Sequence, residues 1–300
     1  LSCRYNAIGQ KFEVKFKKIL NTEVLKMKKM TKVLTFIISF LLVSTVMASD
    51  REKEQQWASQ VIEFLVDGEP VWLRVDEQEF LGIYTAATRP DRKAAVILIH
   101  GGGLHPDWPQ VIQPLRTSLP NRGFATLSLQ MPVLPEDASH VDYVPLFSAV
   151  PARLQAGLDY LAEKNIRRVI LVGQSLGSNM ASDFLAHHHD ERIKGFIGIN
   201  MSAQPQPAKL QVLDNVVALL KMKVPVLDIY GSQSIEPVLN SVDRRAYVIY
   251  QMDYLNSRQV EISGANQQFQ GFEDQLLESI VSWITEHTGV KQRAHARSSM

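Results

Sequence analysis

The sequence predicts an α/β protein with one doubly wound, mostly parallel β-sheet and helices on both faces. Three observations carry this. Continuous apolar runs of strand length recur from residue 94, from 124, and at 167–173, 193–200 and 224–230, as expected of strands buried on both faces. Helical patterns separate these runs over some 200 residues, which implies right-handed βαβ units. One run passes directly into Gly173-Gln174-Ser175-Leu176-Gly177 and then a helical pattern. That strand–turn–helix places a serine at the carboxyl end of a strand, where doubly wound sheets carry their sites.

The domain does not begin at residue 1. Residues 1–26 are basic and unpatterned, and they read as translated sequence upstream of the natural start. Residues 27–48 combine a short Lys-rich stretch, an apolar run at 33–46 and small residues Val46 and Ala48, the three parts of a secretory signal peptide. The apolar run falls short of the roughly 18–20 residues of a membrane span, so no stable span is expected after cleavage. Nine of the 32 basic residues and two of the 31 acidic ones precede Ser49. What remains is net acidic, which gives no support for a nucleic-acid partner. The single cysteine, Cys3, also lies in the removed part, so the domain owes nothing to disulfides. The expectation is one domain over 49–290 with a polar tail at 291–300, exported and periplasmic.

Within the domain, residues 51–65 place Trp57, Val61, Ile62 and Leu65 on one face of a short amphipathic helix. Alternating runs at 70–87 predict two half-exposed strands. From Ala94 the period changes to a continuous apolar strand ending in Gly101-Gly102-Gly103. A helix near 108–119, a strand from Phe124, and a helix over 146–164 lead to the strand before Ser175. Further strands at 193–200, 224–230 and 260–262 alternate with helical patterns. A last helix near 271–287 buries Phe272, Leu276, Leu277, Ile280, Val281 and Ile284. The segment between 200 and 224 is too short for a large lid.

The candidate chemistry centres on the G-x-S-x-G pentapeptide. Its flanking glycines, Gly173 and Gly177, lack the Cβ atoms that would clash across so sharp a turn. Ser175 is then a nucleophile elbow, with Gln174 inside the turn and the Leu176 N–H available to a developing oxyanion; a merely structural turn is the competing reading. His187, His188 and His189 with Asp190 bring potential metal ligands together, but consecutive residues splay around a helix, so neither a metal nor another cofactor is expected. Trp108, Tyr143 and Phe147 are candidates for an apolar pocket or for core packing.

With HGGG at 100–103, HPDWP at 105–109, GQSLG at 173–177, LDIYGS at 227–232 and GANQQF at 264–269 in hand, the chain resembles the α/β-hydrolase superfamily. More narrowly, it is similar to an uncharacterised α/β-hydrolase-like family of exported proteins from Gram-negative bacteria. The resemblance covers roughly residues 60–287. It implies a Ser–Asp–His triad in that chain order. Ser175 stands as nucleophile, the oxyanion hole comes from Leu176 N–H and a backbone N–H of Gly101 or Gly102, and His100 braces the turn. A tight loop with no such duty is the alternative for the glycine run.

Two positions break that pattern. Ser234 stands where the family places the acid and Gln267 where it places the base. An amide has no useful basicity near neutral pH. Loss of the base from a serine triad costs about 10⁶ in turnover, while an oxyanion hole and binding alone leave about 10³–10⁴ over water. Glu236 is the alternative acid and His105 the alternative base; His140, His287 and His295 are poorly placed, and Asp228 lies within a strand. Three functions follow as expectations: a weak or inactive hydrolase binding a small acyl or ester-like ligand, an active carboxylesterase or thioesterase using His105, and an envelope scaffold or assembly partner.

Overall fold

The computed structural model describes residues 49–89, 93–252 and 256–287; the expected signal segment, the upstream residues and the polar tail lie outside them. Eight strands form one sheet in the order β1-β2-β4-β3-β5-β6-β7-β8. β1 (Glu69–Val75) and β2 (Gln78–Thr85) form a hairpin, and β2 pairs antiparallel with β4 (Ala125–Leu129). From β4 onward every pairing is parallel, through β3 (Ala94–Ile99), β5 (Arg168–Gln174), β6 (Ile193–Ile199), β7 (Val226–Gln233) and β8 (Arg258–Asn266).

The central strands are buried throughout, as their unbroken apolar runs require, and the two-residue period sorts them between two cores. Ile97, Ile99, Leu127 and Leu171 face a core closed by α3 (Val150–Glu163) and α4 (Leu176–His187). Val96, Leu98, Ile170 and Val172 face a second core under α2 (Ile112–Ser118) and α8 (Glu273–His287). Each such side chain contributes about 1.5–3 kcal/mol by leaving water.

Four expectations are corrected. β2 is buried along most of its length rather than half-exposed, because β1, β4 and a preceding helix enclose it. That helix, α1 (Arg51–Phe64), buries Glu54, Ala58 and Val61 and leaves Ile62 exposed. The cause is a charge: Arg153 on α3 donates to both Glu54 carboxylate oxygens at 3.0 and 2.9 Å, which turns the Glu54 face inward. The helix expected from 108 starts at Ile112, after Val111 takes a φ of +64°. Phe272 precedes α8 and is half-buried, whereas Trp283, absent from the expected face, is fully buried. Between β6 and β7 stand only a 3₁₀ turn at Ala208–Leu213 and the five-residue α5 (Asn215–Leu219), so there is no large lid. Two short helices, α6 (Glu236–Leu239) and α7 (Val242–Gln251), follow β7. Among the described residues no helix is long and apolar enough to cross a membrane.

Candidate functional site

Ser175 is the single residue between β5 and α4, at φ 52° and ψ −121°. A non-glycine side chain at positive φ is strained, and the surrounding geometry holds it there. Its N–H donates to Ile199 O at 2.9 Å, and the Ser178 hydroxyl reaches back to Gly173 O at 2.6 Å. A Cβ on Gly173 would lie 2.6 Å from Gly177 O, and one on Gly177 would lie 2.3 Å from Ile99 O. The two glycines are therefore a packing requirement of the turn. Ser175 is half-buried, and its hydroxyl does not cap the helix it precedes. Gln174 is buried behind it, its Oε1 without a partner among the described residues.

The glycine run stands against this turn. A Cβ on Gly101 would meet Ser175 Cβ at 3.5 Å, and one on Gly102 would meet Leu176 Cδ2 at 2.8 Å. Among the described residues the amides of Gly101, Gly102 and Leu176 have no backbone partner. The Gly103 N–H, by contrast, donates to the Tyr143 hydroxyl at 2.8 Å, and that oxygen also accepts from Leu134 N–H at 3.0 Å. Tyr143 thus pins the turn from the core. His100 braces the other side. Its Nε2 accepts the Met131 N–H at 2.9 Å, which puts the proton on Nδ1 to donate to Gly101 O at 2.8 Å. Full burial drives its pKa down to about 3, so the ring stays neutral at any ordinary pH.

The acid and base positions meet each other. The Ser234 hydroxyl donates to Gln267 Oε1, joining the loop after β7 to the loop after β8. Ser234 is buried and Gln267 half-buried. Asn200, which the sequence reading did not single out, stitches this pair toward Ser175. At φ 51° it donates from Nδ2 to Gln267 O at 2.8 Å and accepts the Gly231 N–H on Oδ1 at 3.2 Å. Its chain neighbour Ile199 is the residue that holds Ser175 N–H. An asparagine just past an apolar strand is a position where left-handed backbone is tolerated, and that was the available signal.

The substitute candidates make contacts of their own. Glu236, at the start of α6, is exposed to solvent. His105 packs edge-on between Trp57 and Trp108, with ring centroids 5.5 and 5.2 Å away. Burial lowers its pKa, and Asp107 partly opposes this. Its Nδ1 accepts the Asp107 N–H at 3.2 Å, leaving the ring proton on Nε2 and no free lone pair for Ser175. The Asp107 carboxylate in turn takes Nε and Nη2 of buried Arg116 at 2.9 and 2.6 Å. The HPDWP segment therefore fastens α1 and α2 to the sheet. Asp228 is fully buried against Arg245, with Nε donating at 2.7 Å. Among the described residues no group of three or more His, Cys, Asp or Glu could hold a metal. Cavities of about 180 Å³ beside Tyr84 and Lys164, and about 110 Å³ beside His187 and Lys223, lie away from Ser175.

Residues 43–151 and 145–286 match the profile of a family described as "Protein of unknown function (DUF3530)". The chain belongs to that family. No curated protein sequence matches it. Solved structures do. Est1E from Butyrivibrio proteoclasticus is 16% identical, with 74% of this chain and 100% of that one aligned at a TM-score of 0.56. Dienelactone hydrolase from Anabaena variabilis is 19% identical, covering 74% and 98% at 0.58. A soluble variant of monoglyceride lipase from Saccharomyces cerevisiae is 12% identical, covering 75% and 97% at 0.57. At such identities the likeness is one of fold: this member of the family has the α/β-hydrolase fold.

Proposed function

We propose that this chain is an exported α/β-hydrolase-fold protein that has lost efficient hydrolysis and uses the cleft at Ser175 to bind a small acyl or ester-like ligand. The observation that carries the reading is the Ser234–Gln267 hydrogen bond. Where a triad would hold a carboxylate and an imidazole, a hydroxyl is bonded to an amide, and neither can take the Ser175 proton. The free amides of Gly101, Gly102 and Leu176 beside Ser175 remain suited to a carbonyl oxygen. The displaced-base alternative gains nothing from His105, whose acceptor nitrogen is already occupied. Export rests on the signal-like residues 27–48, and N-terminal sequencing of the envelope protein should begin at Ser49.

The test is turnover of p-nitrophenyl acetate and butyrate by the chain from Ser49 beside its Ser175→Ala variant. Equal, near-background rates are expected. Ser175-dependent hydrolysis near a typical ~10 s⁻¹ would overturn the reading.

A further inference from the structure

A second cleft lies at the opposite end of the sheet from Ser175. Helix α4 ends at His187; His188 and His189 follow it just before β6 begins, and Lys221 and Lys223 stand just before β7. These five side chains ring a cavity of about 110 Å³ with an apolar floor that includes Leu185 and Ile193. One water needs roughly 10–15 Å³ by this measure, so the space admits a tetrahedral oxyanion.

The charge of the ring is positive in spite of its two nearby carboxylates. Asp190 is occupied by Arg192, whose Nε reaches both of its oxygens and whose Nη2 bonds Oδ2 at 2.6 Å. Asp183 is not part of the lining; its Oδ1 lies 3.4 Å from His187 Nδ1. The negative end of α4 is quenched as well, because His187 Nδ1 donates to Asp183 O and His188 Nδ1 to Phe184 O. Neither Lys221 nor Lys223 has a salt bridge among the described residues. Two ammonium groups thus meet at one cleft of a domain that is net acidic. A metal does not fit: no group of three or more such ligands is found among the described residues, and the lysines would repel a cation.

We propose that the His187–Lys223 cleft binds a phosphate-class anion, with Lys221 and Lys223 as the charge-bearing contacts and the three imidazoles closing the rim. Charge-assisted hydrogen bonds are the interaction such a ring supplies. The anion can come free in solution or as the headgroup of an anionic lipid. This site is independent of the reading at Ser175.

The experiment measures inorganic phosphate binding by calorimetry and flotation with phosphatidylglycerol or phosphatidylcholine vesicles. It uses the chain from Ser49 and its Lys221→Gln/Lys223→Gln variant. Both lysines are exposed, so the variant should fold. Phosphate binding weakened about tenfold or more in the variant, as expected for loss of charged hydrogen bonds, supports a free anion. Phosphatidylglycerol-selective flotation lost in the variant supports a lipid headgroup. Absence of both, or binding that the double substitution leaves unchanged, overturns the proposal.

Discussion

The Ser234 hydroxyl donates to Gln267 Oε1 across the loops that follow β7 and β8. The two side chains are thereby bonded to each other, and Asn200 fixes the Gln267 backbone at 2.8 Å. The pair joins a hydroxyl to an amide, and neither is basic enough near neutral pH to take the proton of Ser175.

Restoring an imidazole should therefore restore chemistry. Gln267→His is expected to raise p-nitrophenyl acetate turnover about 10²-fold or more, the usual contribution of a positioned base. Ser234→Asp with Gln267→His should gain further, since an aspartate orients the ring. Both gains must vanish when Ser175→Ala is added. A gain that survives Ser175→Ala would mean that the introduced histidine works without the serine.

Gly177→Ala should cost about 3 kcal/mol or more, because the new methyl would lie 2.3 Å from Ile99 O and 2.4 Å from His100 O. Denaturant titration reads this directly. Gly271→Ala is the control of the other kind: nothing lies within 4 Å of its added Cβ, yet its φ is +78°. It should lose only the cost of a left-handed backbone, roughly 1 kcal/mol.

His100 sets a pH dependence. Its folded pKa is lowered to about 3, below the ordinary imidazole value near 6.5. The unfolded chain therefore binds a proton that the folded chain refuses. The stabilisation is complete above about pH 6.5 and is lost as pH falls toward 3, at about 1.4 kcal/mol per unit. His100→Gln is expected to flatten the stability profile between pH 6.5 and 4 relative to wild type. An unchanged slope would show that the ring does not remain neutral.

Much of this was readable in the residues because it is local. The Gly173–Ser175–Gly177 turn is decided within five residues, and the glycine run continues a strand already marked by its apolar atoms. What escaped was set by distant partners. The inward face of α1 follows from Arg153, 99 residues beyond Glu54. Trp283 is buried because Gly195 leaves room for its indole, where a Cβ would come within 2.7 Å. His105 could be proposed as a base while its partners were unknown; Trp57, Trp108 and the Asp107 N–H occupy it. The departures at Ser234 and Gln267 were visible by position, but their bond joins residues 33 apart in sequence.

Asp228 and Arg245 give the sharpest test of what a buried charge does in this fold. Both are fully buried, with Nε donating to Oδ2 at 2.7 Å, and Gln259 Nε2 donates to the same oxygen at 2.8 Å. Arg245 Nη1 is further bonded to Val238 O and the Ser241 hydroxyl, while Asp228 Oδ1 and Arg245 Nη2 have no hydrogen-bond partner among the described residues. The pair is thus incompletely satisfied, and its desolvation is only partly offset. Asp228→Ala strands a buried guanidinium and should cost about 3–5 kcal/mol. The double change Asp228→Leu/Arg245→Met removes both charges and should cost far less than the single one. Urea titration of the three proteins decides the matter. A double variant as damaged as Asp228→Ala would mean that the ion pair, rather than the relief of an unpaired charge, holds α7 against β7.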